Sequence, residues 1–219
     1  MKSNSELNSD VLDELAWQPG VNVEDIGVIV KDGVVTLTGS VDSYWEKMSA
    51  MDAAKRVAGV KALAVEIEVR LPGMKERTDT DIARAAENAL AWDTSVPEDR
   101  IKVSVEQGWI TLSGKVDWNY QKRAAEHAVH YLTGVKGLSN LITLTPAQKI
   151  SPAEVKSNIE KALKRNATLE AQRISVTAAG DRVTLSGSVR SLADREEAER
   201  AASNAPDVLE VEDMIDIAA

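Results

Sequence analysis

Apolar residues recur along this chain in three matching blocks, each passing through the same changes of period. In the first block Val11 and Leu15 stand four apart, on one face of a short helix. Ile26, Val28 and Val30 then alternate with Gly27, Ile29 and Lys31, the period of a half-buried strand. Asp32-Gly33 tolerates the positive φ that a hairpin turn requires. The returning strand turns Val35, Leu37 and Val41 inward and Thr36 and Thr38 outward. Ala50, Ala53, Ala54 and Val57 follow at i, i+3, i+4 and i+7, small residues that let a second helix pack close to its sheet. Leu63, Ile67 and Val69 make a last strand.

The second block repeats the pattern with Ala86 and Leu90, then Ile101, Val103 and Val105, then Ile110, Leu112 and Val116, then Ala125, Ala128, Val129 and Leu132. The third does so with Ile159 and Leu163, Ile174, Val176 and Ala178, Val183, Leu185 and Val189, and Ala198, Ala201, Ala202 and Ala205. Gly39, Gly114 and Gly187 anchor the copies. Leu15, Leu90 and Leu163 lie 24 residues before them, and Val60, Val135 and Val208 lie 21 after. Such spacing, held three times, marks an internal repeat. Arg70-Leu71-Pro72-Gly73 and Thr145-Pro146 read as linkers, with Pro just after a strand. Asp79 or Thr80, and Ser151-Pro152, are helix-start signals. In the last strand Asn140 and Asp213 occupy the place of Val65, which a bulge or a late strand start would explain.

These elements predict an α+β protein of three tandem α-β-β-α-β modules, at residues 1–70, 77–145 and 150–219. Each is expected to form a three-stranded mixed sheet with two helices on one face. The β-α-β part calls for a right-handed crossover. The expected order sets the last strand beside the first, antiparallel to it and parallel to the second. Gly39, Gly114 and Gly187 share the parity of the buried positions, so they are expected to be structural glycines that let a helix approach the sheet.

The run Gly33-Val34-Val35-Thr36-Leu37-Thr38-Gly39, an Ala-rich helix, and Gly59-Val60 before a strand resemble the BON domain family (bacterial OsmY and nodulation domain). The second copy, with Gly114, Gly134-Val135 and Asn140-Leu141-Ile142, carries the resemblance best. The third departs from it with Pro206-Asp207-Val208. The resemblance implies a bacterial binding module tied to osmotic or envelope stress, with phospholipid membranes as a suggested target. It supplies no catalytic residues.

Composition narrows the chemistry. The chain has 219 residues, 43% hydrophobic, no Cys and a net charge of −9. Thiol catalysis, thiolate metal sites and disulfides are therefore excluded. The overall field opposes nucleic acid, so no nucleic-acid partner is expected. No apolar run follows Lys2 and none reaches membrane-spanning length. The expected location is the cytoplasm, or the periplasm if a signal has been removed.

No catalytic residue, metal site or cofactor is expected. His127 and His130 share a helix side, but the matching positions hold Asp52 and Lys55, and Arg200 and Ser203, so this side reads as solvated. Ser40, Ser113 and Ser186 lack a base, and no GxGxxG or Walker loop is present. The five Trp and three Tyr are more informative. Trp17 and Trp92 fall two residues after Leu15 and Leu90 and are expected to close the end of a small core, the alternative being an interface with another copy. Tyr44 and Trp45, and Trp118 and Tyr120, cluster where the second helix starts, near Lys122 and Arg123. They read either as packing between copies or as a membrane or protein contact. Trp109 faces outward where the other copies have Val34 and Arg182. Residues 74–146 carry 9 basic and 10 acidic side chains, the most even balance of the three copies.

The expected function is thus a non-enzymatic binding or scaffolding protein of the bacterial stress response. Its partner would be a phospholipid membrane surface or an envelope-associated protein, through Trp109, Trp118, Tyr120, Lys122, Arg123, Tyr44 and Trp45. A small-ligand carrier with a pocket between modules, or a self-assembling structural protein, is the alternative.

Overall fold

Each repeat builds the same α-β-β-α-β unit, because each of its five elements carries an apolar stripe that turns toward a shared core. The computed structural model describes residues 2–73, 76–145, 151–166 and 173–218. Module one comprises α1 (Asn4–Trp17), β1 (Ile26–Lys31), β2 (Val34–Val41), α2 (Tyr44–Arg56) and β3 (Ala62–Val69). Module two comprises α3 (Asp79–Trp92), β4 (Ile101–Glu106), β5 (Trp109–Val116), α4 (Asn119–His130) and β6 (Gly137–Leu144). Module three comprises α5 (Pro152–Arg165), β7 (Ile174–Ala179), β8 (Arg182–Val189), α6 (Leu192–Ser203) and β9 (Glu210–Ile217). The outer boundary residues 1, 150 and 219, and the linker residue Pro146, lie outside the described residues.

The helix starts follow from capping chemistry. Ser3, Thr78 and Ser151 accept the backbone N–H three residues on through their hydroxyls. The cap of α3 is thus Thr78, one residue before the expected Asp79. Asp32, Gly33, Gln107 and Gly108 all have positive φ, so the hairpin turns are built as their sequences require.

The strand order departs from expectation. It is β1-β2-β3, β4-β5-β6 and β7-β8-β9, so the second strand of the hairpin is central and the last strand lies beside it. β5 pairs antiparallel with β4 and parallel with β6, and β8 does the same with β7 and β9. Two physical reasons favour this order. A crossover from β2 through one helix reaches the neighbouring position without passing over β1. The central strand is also the most apolar: Val35, Leu37, Ile110, Leu112, Val183 and Leu185 are all buried, as expected, whereas Val28 and Val30 on the edge are only half-buried.

The last strand has no bulge and no late start. Register runs unbroken from Trp109↔Gly137 to Val116↔Leu144 and from Arg182↔Glu210 to Val189↔Ile217. Asn140 and Asp213 therefore face the helices, where side-chain bonds satisfy them. Asn140 Nδ2 donates to the Lys122 carbonyl at 2.9 Å and to Glu126 at 3.1 Å. Asp213 accepts from Arg195 on α6.

The three anchor glycines meet backbone, not a helix. Gly39, Gly114 and Gly187 have φ of +114°, +143° and +130°. A Cβ on them would lie 2.0, 2.1 and 1.9 Å from the carbonyl oxygens of Asp25, Arg100 and Arg173, on the adjoining chain just before β1, β4 and β7. They are structural, but what approaches them is neighbouring backbone and not a helix.

The chain divides into two compact units. One comprises Met1–Gly39, Ser49–Ile67 and Ala147–Ala219, and the other comprises Ser40–Met48 and Glu68–Pro146. In the first unit, Lys55 of module one pairs with Glu196 of module three at 2.8 Å, and the Gly59 N–H donates to the Arg190 carbonyl at 3.2 Å. In the second unit, the core is formed by Ile82, Ala86, Leu90, Ile110, Leu112, Ala125, Val129 and Ile142, with Tyr44 packed against it.

Candidate functional site

The aromatic residues singled out by the sequence do not form one surface. Trp109 opens β5 and Trp118 follows its end. At roughly 3.3 Å per residue, the strand alone puts about 23 Å between its ends. Trp109 lies on the outer sheet face, 49% exposed, and its Nε1 donates to Ser139 Oγ at 2.9 Å. Its ring covers Gly137, where a Cβ would sit 2.2 Å from ring carbons. The other copies carry Ala62 and Glu210 at that position, so Gly137 is fitted to the ring. Leu141, 62% exposed, lies on the same face and strand, four residues on from Gly137.

Trp118 and Tyr120 do form a pair. Their ring centroids are 6.5 Å apart at an interplanar angle of 30°. Trp118 is 38% exposed and Tyr120 is 50% exposed. Trp118 stands at the N-cap of α4, a place held by Ser43 and Ser191 in the other modules. Those serines accept a backbone N–H from Glu46 and Asp194. A Trp ring has no acceptor for that bond, and loss of a Ser cap costs about 0.5–2 kcal/mol. Part of the deficit is offset by Gln121, whose Oε1 accepts from the N–H groups of Asp117 and Trp118, each at 3.1 Å. Module two thus gives up a cap serine and gains an exposed ring. The comparison among copies could have shown this in the sequence, since Trp118 aligns with two serines.

Lys122 and Arg123 lie in the first turns of α4, two to five residues after this pair in sequence. Lys122 is half-buried, with its carbonyl held by Asn140, and Arg123 is exposed. Tyr44 and Trp45 sit apart in character. Tyr44 is half-buried on the second unit's core, and burial first, then the Glu126 carboxylate, raises its hydroxyl pKa. Trp45 is half-buried too.

Trp17 and Trp92 do not close a core. They are 83% and 87% exposed at the ends of α1 and α3. The reason is helical phase: Leu15 and Leu90 point inward, and a residue two further on turns about 200° away. His127 is exposed and His130 half-buried, and both rings pack with Tyr131, at 5.1 and 3.8 Å. Among the described residues, no group of three or more His, Asp or Glu is placed to hold a metal ion. No described helix is long and apolar enough to cross a membrane.

Comparison with known proteins fits this repeat. A family model described as "BON domain" matches residues 3–70, 78–146 and 151–219. The chain is 31% identical over 143 residues to osmotically-inducible protein Y of Escherichia coli (strain K12), covering 63% of this chain and 70% of that protein. Among solved structures, the C-terminal domain of CdsD, a structural protein of the type III secretion system of Chlamydia trachomatis, covers 100% of both chains at 12% identity with a TM-score of 0.27. A second CdsD structure covers 95% of this chain and 90% of its own, at 14% identity and a TM-score of 0.26.

Proposed function

The chain belongs to the BON domain family, and from that premise we propose that it is a non-enzymatic binding protein of bacterial osmotic stress, contacting a phospholipid surface through module two. Similarity to osmotically-inducible protein Y supports the stress context. The observation that carries the contact is Trp118: it replaces a helix-capping serine and sets an exposed ring beside Tyr120. Trp and Tyr favour the water–lipid boundary because each has an apolar body and a polar tip. Lys122 and Arg123 stand next to them, in the copy with the most even charge balance. The ring pair is small, and the chain's net charge of −9 opposes anionic lipid, so the contact is weak and sensitive to salt.

Vesicle sedimentation of the full chain tests this. Vesicles containing anionic lipid should retain a fraction of the wild-type protein, with a blue shift in tryptophan emission. Trp118→Ser, which restores the cap found in the other modules, should lose both without loss of stability. Equal retention of the variant, or no retention of either protein, rejects the reading.

A further inference from the structure

Fourteen residues before Gly114 stands Arg100, and three after it stands Asp117; they form an ion pair at 2.8 Å. The same places hold Asp25 and Asp42 in module one, but Arg173 and Arg190 in module three. A site that is charge-balanced in module two is thus all-cationic in module three. Both arginines line a cavity of about 630 Å³ in the first unit, together with Lys2 and Lys61 from module one. Asp32 is the one carboxylate among the lining residues. The chain as a whole has 35 acidic and 26 basic side chains, so four cations against one acid run counter to its composition.

We propose that this cavity binds a phosphate-bearing organic anion, with Arg173 and Arg190 as its principal ligands. The guanidinium fork matches phosphate oxygens in a bidentate way, and an anion bound between two arginines offsets their mutual repulsion. Both arginines also have partners within the protein. Lys2, also in the lining, donates to the Ala58 carbonyl at 3.3 Å and pairs with Asp10. Lys61 lays its stem over Gly33, where a Cβ would meet Lys61 carbons at 3.0 Å. The volume falls within the roughly 300–1,000 Å³ of small-ligand pockets, far more than a bare phosphate fills. Leu7, Ala58 and Ala218 in the lining supply apolar contact for the organic part. The site needs modules one and three together, and it does not rest on the aromatic pair of module two.

The test is a titration of the full, ¹⁵N-labelled chain with inorganic phosphate and with glycerol 3-phosphate. The amide signals of Gly33 and Gly59 should shift saturably. Arg190→Asp recreates the ion-pair arrangement of module two, so it should fold and yet weaken binding by roughly tenfold or more. Lys61→Gln keeps the stem over Gly33 and should weaken binding as well, which preserves the test should Arg190→Asp fold poorly. Trp118→Ser should leave phosphate binding unchanged, which separates this site from the proposed membrane contact. Saturation by glycerol 3-phosphate without recruitment to phosphatidylcholine vesicles containing phosphatidic acid assigns a soluble ligand. Recruitment that Arg190→Asp abolishes assigns a lipid headgroup. Absence of a saturable shift, or an unchanged affinity in both Arg190→Asp and Lys61→Gln, overturns the proposal.

Discussion

Asp213 on β9 accepts a hydrogen bond from the Arg195 guanidinium on α6, while its other oxygen accepts the Ile215 N–H at 2.9 Å. The carboxylate faces the helices at a position where module one carries Val65. Its side chain is 14% exposed and that of Arg195 is 33% exposed, so the pair is partly shielded from water. Asp213→Ala removes both bonds and leaves a half-buried guanidinium without this partner. The expected cost is about 1–3 kcal/mol. Asp213→Asn keeps the acceptor for Ile215 and should cost less. Urea titration of the full chain, followed at module-three amides, checks the order. Equal stability of all three proteins would mean that the pair does not hold α6 to the sheet.

Leu112 on the central strand is fully buried, and Leu141 on the outer face is 62% exposed. Leu112→Ala should destabilise module two by about 2–5 kcal/mol, the transfer and cavity cost of a buried leucine. Leu141→Ala should change stability by no more than about 0.5 kcal/mol. Denaturant midpoints for the two variants, followed at module-two amides, give the comparison. A small effect at Leu112 would place the core elsewhere.

Gly114→Ala brings two problems to one residue. Its φ of +143° disfavours any L side chain, and the new Cβ would meet the Arg100 carbonyl oxygen at 2.1 Å. The expected loss is at least about 1–3 kcal/mol. Gly73 has open space around it and no unusual φ, so Gly73→Ala is the matched control and should be tolerated. Thermal unfolding of the two variants distinguishes a backbone clash from a general sensitivity to lost glycine.

The cap of α3 gives a pH dependence of known sign. The Thr78 hydroxyl donates to Asp81 at 2.6 Å, and this bond, then the Thr78 backbone contact, holds the Asp81 carboxyl below its ordinary value. A carboxyl depressed on folding stabilises the folded state above its unfolded pKa, and that contribution is lost as pH falls through the folded pKa. The start of α3 should therefore fray only in acid, below the usual carboxylate range. Thr78→Val should move the Asp81 titration upward, as followed by carboxyl carbon shifts. An unmoved titration would refute the cap as the cause.

The fold was legible because burial follows the alternation of the central strands and the apolar stripe of the helices. Val35, Leu37, Ala53 and Ala54 are buried as the alternation and the helical stripe require. Strand order was harder to read, since alternation reports which face a residue takes and not which strand it neighbours. Asn140 and Asp213 misled for a related reason. Polarity suggested a break in the strand, whereas side-chain bonds from α4 and α6 keep them inside. In the sequence Arg173 and Arg190 each look like an ordinary surface arginine. Their meaning appears only when the places of Arg100 and Asp117 are compared and the cavity brings in Lys2 and Lys61.

Trp17 and Trp92 permit a test of exposure that is independent of any ligand. Both follow an inward leucine by two residues and end their helices 83% and 87% exposed. Neither ring can contribute much burial, so Trp17→Ala and Trp92→Ala together should change stability by no more than about 0.5 kcal/mol. Their emission should be red-shifted and readily quenched by acrylamide. Trp45 is half-buried, and Trp109 and Trp118 keep half or more of their surface covered. Removing Trp17 and Trp92 should therefore shift the remaining emission to the blue and lower its quenching constant. A loss of stability of about 2 kcal/mol or more would instead show that these rings are covered in solution. Light scattering across protein concentration would then identify a second copy of the chain as the cover.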